Sequence, residues 1–91
     1  MEITEVKLTL RNENKLKGFA NITFDNSFVI RGLKIISGEK GLFVSMPSKK
    51  KADGSFQDVA HPINTDTRMM IEKKVLKVYH DEINSQNADS T

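Results

Sequence analysis

Between Ile3 and Leu10 the chain alternates, with Val6, Leu8 and Leu10 apolar and Glu5, Lys7 and Thr9 polar. A period of two is the signature of a strand with one buried face. A polar turn follows at Arg11, Asn12, Glu13, Asn14 and Lys15, and a second alternating run then covers residues 16–24. It sets Ala20, Ile22 and Phe24 against Asn21 and Thr23. Asp25, Asn26 and Ser27 make the next turn, and FVIRGLKII over residues 28–36 predicts a third strand. Its alternation changes phase at Gly32, since Phe28 and Ile30 precede it while Leu33 and Ile35 follow. A one-residue slip centred on glycine predicts a β-bulge.

The segment over residues 41–64, GLFVSMPSKKKADGSFQDVAHPIN, organises the rest. Residues 42–46 are β-compatible, and Pro47 withdraws a ladder donor at that strand's end. Asp53-Gly54 predicts a type I′ hairpin, whose central residues both take positive φ. The hairpin would return residues 49–52 against 56–60. His61-Pro62 ends strand structure, and Asn64 or Thr65 can then cap a helix.

That helix is placed at residues 66–83. At 100° per residue, Met69, Ile71, Val75, Leu76, Val78, Tyr79 and Ile83 share an arc. Met70, Lys73, Lys74, Lys77 and His80 fall opposite, with Asp66 and Asp81 among them. Arg68 and Glu72 lie four apart, the spacing of an i,i+4 ion pair. Arg68 also stands near the helix N-terminus, where an anion would bind. Residues 84–91 are almost wholly polar and are expected to be a disordered tail. The pattern describes an α+β fold: a small antiparallel meander of about five strands, bulged near Gly32 and covered by one C-terminal helix. Residues 1–83 form its single domain.

Composition narrows the class. The 91 residues are 37% hydrophobic and 29% charged, which suits a folded domain with a limited core of its own. There are no cysteines, so disulfide scaffolds and thiolate metal sites are excluded. No apolar run reaches the roughly 20 residues of a membrane span, and no targeting segment is evident, so a cytoplasmic protein is expected. Charge is uneven. Residues 1–64 hold ten Lys/Arg against seven Asp/Glu, while residues 65–91 hold four against five.

Catalytic chemistry finds little footing. His61 and His80 are the only histidines, and neither has the spacing of a metal pair. Asp58 and His61 could meet across a turn, but no Ser stands in a nucleophile motif beside them. The five glycines do not approximate a phosphate-cradling loop. No enzyme activity, cofactor, metal or small-molecule substrate is expected. Lys49, Lys50 and Lys51, joined by Lys73, Lys74 and Lys77 on the helix, could track a phosphate backbone. Lysines on an edge strand also serve simply to block aggregation. Phe43 and Phe56 are expected in the core, which leaves few aromatics for stacking on bases. A sheet with one covering helix leaves edges and apolar surface unmatched, so a homodimer is expected.

The blocks MEITEVKL, ITFDNSFVI, GLFVSMPSKK and DGSFQDVAHPIN, with the helix entry Thr67-Arg68, resemble the stage V sporulation protein G (SpoVG) family of bacteria. The likeness runs from Met1 to about His80. It implies a small cytoplasmic DNA-binding regulator, binding RNA in some members, dimeric, and associated with septation and sporulation. By position it carries the basic pair to Lys49 and Lys50 and the helix entry to Thr67 and Arg68. Many relatives have Thr or Pro where this chain has Lys51-Ala52, and Met69-Met70 replaces positions usually small or polar. A protein-interaction adaptor of the division apparatus is the alternative reading.

Overall fold

The computed structural model describes residues 1–89. Strands β1 (Ile3–Leu10), β2 (Leu16–Phe24), β3 (Phe28–Gly38) and β4 (Gly41–Ser45) form one antiparallel sheet in the order β1-β2-β3-β4. Strands β5 (Ser48–Lys50) and β6 (Phe56–Asp58) pair only with each other. Helix α1 (Thr65–Asp89) closes the chain. The fold is α+β, as the pattern predicts, but the meander holds four strands. The hairpin expected to extend it stands apart as a two-stranded ribbon, because Pro47 ends β4 and turns the chain away.

Period-two patterning decides which face is buried. Ala20, Ile22, Phe24, Leu33, Ile35 and Val44 point to one side of the sheet and are buried there with Ile3 and Met46. Helix α1 lies over that side, reaching both outer strands, β1 and β4, and buries Ile71 and Val75. Val6, Leu8, Met70, Leu76 and Tyr79 ring this core. The expected helical arc is corrected at its first turn. Met69 is exposed, whereas Met70, expected outside, packs on the core. A long unbranched side chain at the flank of a helix end can reach back to the sheet.

The bulge falls where the phase slip places it. Ala20 pairs with Leu33 and Ile22 with Ile30, so Arg31 and Gly32 together oppose Asn21. Gly32 has φ 85°, and its N–H donates to Asn21 Oδ1 at 3.1 Å. The expected type I′ turn at Asp53-Gly54 is corrected. Gly54 alone has positive φ there, at 91°, and its N–H donates to the Lys51 carbonyl. Lys51 N–H in turn donates to Ser55 O, which makes a three-residue loop ending in a left-handed glycine. Positive φ at two successive residues occurs instead at Asp25 and Asn26, in the β2–β3 turn closed by Ser27 N–H on Phe24 O. Asp and Asn tolerate that region better than other side chains.

Asn64 caps α1, its Oδ1 accepting from Thr67 N–H at 2.7 Å. The helix runs to Asp89, beyond the expected end at Ile83. Residues 84–89, expected in a disordered tail, continue the helix, since they contain neither Gly nor Pro to stop it. Ser90 and Thr91, the end of that expected tail, lie outside the described residues.

Candidate nucleic-acid interface

The ribbon is built from short-range chemistry. Ser48 pairs with Asp58, Lys49 with Gln57 and Lys50 with Phe56. Its turn is held by Asp53, whose Oδ1 accepts from Ser55 Oγ at 2.6 Å and from Ser55 N–H at 2.9 Å. The Ser55 hydroxyl, then its backbone N–H, hold the Asp53 carboxyl below its ordinary pKa. At the base, Val59 N–H donates to Pro47 O at 2.7 Å and ties the ribbon to the end of β4. Every residue of β5 and β6 is exposed.

Alternation on so short a strand separates the three lysines. Lys49 shares a ribbon face with Gln57, while Lys50 shares the other with Phe56. Lys51 follows on the phase of Lys49. All three are exposed. Phe56, expected in the core, is 69% exposed, and Phe43 is 42% exposed. The correction has one cause in each case. Phe56 sits on a ribbon with no core, and Phe43 falls on the sheet face that α1 does not cover.

Lys73, Lys74 and Lys77 are exposed on α1, as the helical period predicts. Lys77 donates to Asp81 Oδ2 at 3.0 Å, the one ion pair among the described residues. Arg68 is exposed and does not form the expected pair with Glu72, which is half-buried beside the β3–β4 turn. The candidate cations thus occupy two separate units. The ribbon pairs only with itself, and the helix packs on the sheet.

Between the β2–β3 hairpin and the start of α1 lies an apolar groove of about 310 Å³, walled by Phe24, Phe28, Ile30, Met46, Pro62 and Ile71. His61 lines it, with Nδ1 3.0 Å from the Pro62 carbonyl oxygen, and no hydrogen bond joins it to Asp58. Around the groove Met1, Phe28 and Ile63 are strongly exposed. The sequence reading did not anticipate this surface. Its signal was present in apolar residues, such as Phe28 and Ile63, that stand at turns and strand ends where no neighbour can cover them. Among the described residues no three of His, Cys, Asp or Glu converge as metal ligands would. Among the same residues no helix is long and apolar enough to cross a membrane.

Fold and surface define a class: a small α+β domain with a four-stranded meander, one covering helix and a projecting lysine-rich ribbon. The SpoVG family model matches residues 1–81, and the chain belongs to that family. A relative from Bdellovibrio bacteriovorus is 53% identical over 93% of this chain and 79% of its own length. One from Phytoplasma australiense is 46% identical over 98% of this chain and 94% of its own. One from Clostridium beijerinckii is 44% identical over 94% and 96%. All three carry the name "Putative septation protein SpoVG". Both expected carry-over positions, the Lys49-Lys50 pair and Thr67-Arg68, lie inside the matched span.

Proposed function

We propose that this protein is a cytoplasmic, site-specific nucleic-acid-binding regulator, of DNA or of RNA, in the control of gene expression linked to septation and sporulation. The observation that carries this reading is the ribbon. Three consecutive lysines stand on an element that contributes nothing to the core, so folding alone gives no reason for their presence there. Lys49, Lys50 and Lys51 meet phosphates, Lys73, Lys74 and Lys77 extend the basic surface, and Arg68 marks the helix entry. The test is the salt dependence of duplex binding. Replacing the three ribbon lysines with Ala lowers the slope of log K against log salt by about 2–3, at roughly 0.9 per phosphate contact. The loss is equal on specific and random sequence, since such contacts position without reading bases. Arg68→Ala is the contrast: if Arg68 touches a base edge, it narrows the gap between specific and random DNA by about 1–3 kcal/mol. An unchanged slope in the folded lysine variant removes the ribbon from the interface.

A protein partner is the second reading, and the apolar groove favours it. The accessible surface is 6698 Å² for a chain of 10.3 kDa. A compact monomer of that mass exposes about 5,400 Å². The excess is about 1,300 Å², more than the ~800 Å² that each partner gives to a standard interface. The partner that fits is a second copy, matching Phe28, Val59 and Ile63 across a two-fold axis. Light scattering at micromolar concentration should return twice 10.3 kDa; the monomer mass would sink the dimer. An adaptor of the division apparatus would use the same groove, and it would show no salt-dependent affinity for unrelated DNA.

A further inference from the structure

Helix α1 covers one face of the sheet, and the opposite face has no covering element among the described residues. The strand register fixes what that face carries. Thr9 pairs with Phe19, Phe19 with Lys34 and Lys34 with Ser45, so one row crosses all four strands. The next row toward the β3–β4 turn brings Ile36 beside Phe43, and the row on the other side brings Lys7 beside Asn21. The Arg11 guanidinium lies over the half-buried Phe19 ring, 5.6 Å from its centre, so a base arriving there would stack on the cation–ring pair. Phe43 lies against Gly38, where an added Cβ would come within 3.0 Å of its Cε1, so the glycine gives the ring its seat on the sheet. In these paired rows Glu5 is the single carboxylate, against Lys7 and Lys34, with Arg11 at the margin.

We propose that this helix-free face is a stacking platform for single-stranded nucleic acid, with Phe19 and Phe43 each receiving an unpaired base and Lys7, Arg11 and Lys34 meeting the backbone. The proposal rests on the nucleic-acid reading and names the form of ligand that the sheet takes. Aromatic rings on a sheet meet the faces of bases, and only unpaired bases offer those faces, since a duplex keeps them stacked internally. From strand spacing and rise the two rings are about 12 Å apart, too far to clamp one base between them and suited to two separate ones. Three cations around two rings complement a phosphate chain with bases turned inward. A second copy fits this face less well, because Lys7, Thr9, Asn21, Thr23 and Lys34 interrupt its apolar residues. Of the large exposed apolar side chains, Met1 and Phe28 line the groove on the other side, while only Val29, paired with Thr23, and Phe43 stand on this one.

The chain has no tryptophan, so Phe43→Trp introduces a single reporter. Titrated with a fifteen-nucleotide oligo-U or oligo-dT strand, its fluorescence is quenched, while a fifteen-base-pair duplex leaves it unchanged. In parallel, fluorescence anisotropy with labelled strands reads Phe19→Leu and Phe43→Leu, whose fold is checked by circular dichroism. Each weakens single-strand binding about 5- to 150-fold, the range of one lost base stack, and leaves duplex affinity unaltered. The platform is overturned if the unaltered protein binds single strands, the ribbon-lysine variant loses that binding, and neither quenching nor a phenylalanine effect is seen. Nucleic-acid binding itself then still stands, on the ribbon. A fall in sedimentation mass on Phe43→Leu would assign the face to a second copy and also overturn the platform. Failure of the unaltered protein to bind either form removes the underlying reading, and the platform with it.

Discussion

The meander and the ribbon are both antiparallel β-structure from one short chain, and they are held together by different physics. In the meander, Ile22, Leu33 and Ile35 are fully buried and packed under α1. In the ribbon every strand residue is exposed, and order comes from a turn, one backbone hydrogen bond at the base and a handful of ladder bonds. A two-stranded hairpin is marginal by itself in water. The meander is therefore constrained by stability and the ribbon by whatever it contacts. The same division explains why a lysine run is tolerated at residues 49–51 and would not be at residues 20–22.

The contrast is broken most severely from the core side. Ile22→Ala should cost about 2–5 kcal/mol in urea unfolding, while Phe56→Ala, on the ribbon, stays within about 0.5 kcal/mol for the isolated chain. Equal losses would mean that the ribbon is buried against a partner. Next comes the helix entry, where Asn64→Ala removes the acceptor for Thr67 N–H and should lower stability by about 1 kcal/mol. Gly54→Ala places a side chain at φ 91° and should loosen the ribbon turn by about 1 kcal/mol. The loss should appear as faster amide exchange at Lys51 and Ser55, with the core amides unaffected. The smallest effect is electrostatic. Asp53 has a lowered folded pKa, so the stability it lends the turn is present above its ordinary pKa and is lost as pH falls through the folded value. The Ser55 amide resonance should follow that titration, and Asp53→Asn should abolish the pH dependence while leaving the meander unchanged.

Much of the chain was legible because its signals are local. Strands β1 and β2 follow the alternation from Val6 to Leu10 and from Ala20 to Phe24, and the bulge at Gly32 was visible as a slip in phase. The Asn64 cap was one of two expected residues. Two inferences from short spacings failed, one for a local reason and one for a tertiary one. Asp53-Gly54 was read from a two-residue preference when hydrogen bonding at Lys51 selects a three-residue loop. The expected Arg68–Glu72 pair is absent because Glu72 turns toward the β3–β4 side of the helix. The candidate site was legible only as a list of lysines. Their separation over two ribbon faces, and the placing of Phe19 and Phe43 in neighbouring rows of the open sheet face, depend on register.

The sequence by itself determined the strands, the bulge, the helix and its cap, because each depends on φ/ψ preferences and apolar spacing within a dozen residues. It also determined that lysines crowd one short segment. Only the tertiary structure decided that the hairpin leaves the sheet and that Met70 rather than Met69 reaches the core. It alone left Phe43 and Phe56 in the open. Burial is a property of what lies opposite a residue, and one helix across a four-stranded sheet supplies an opposite side for one face only.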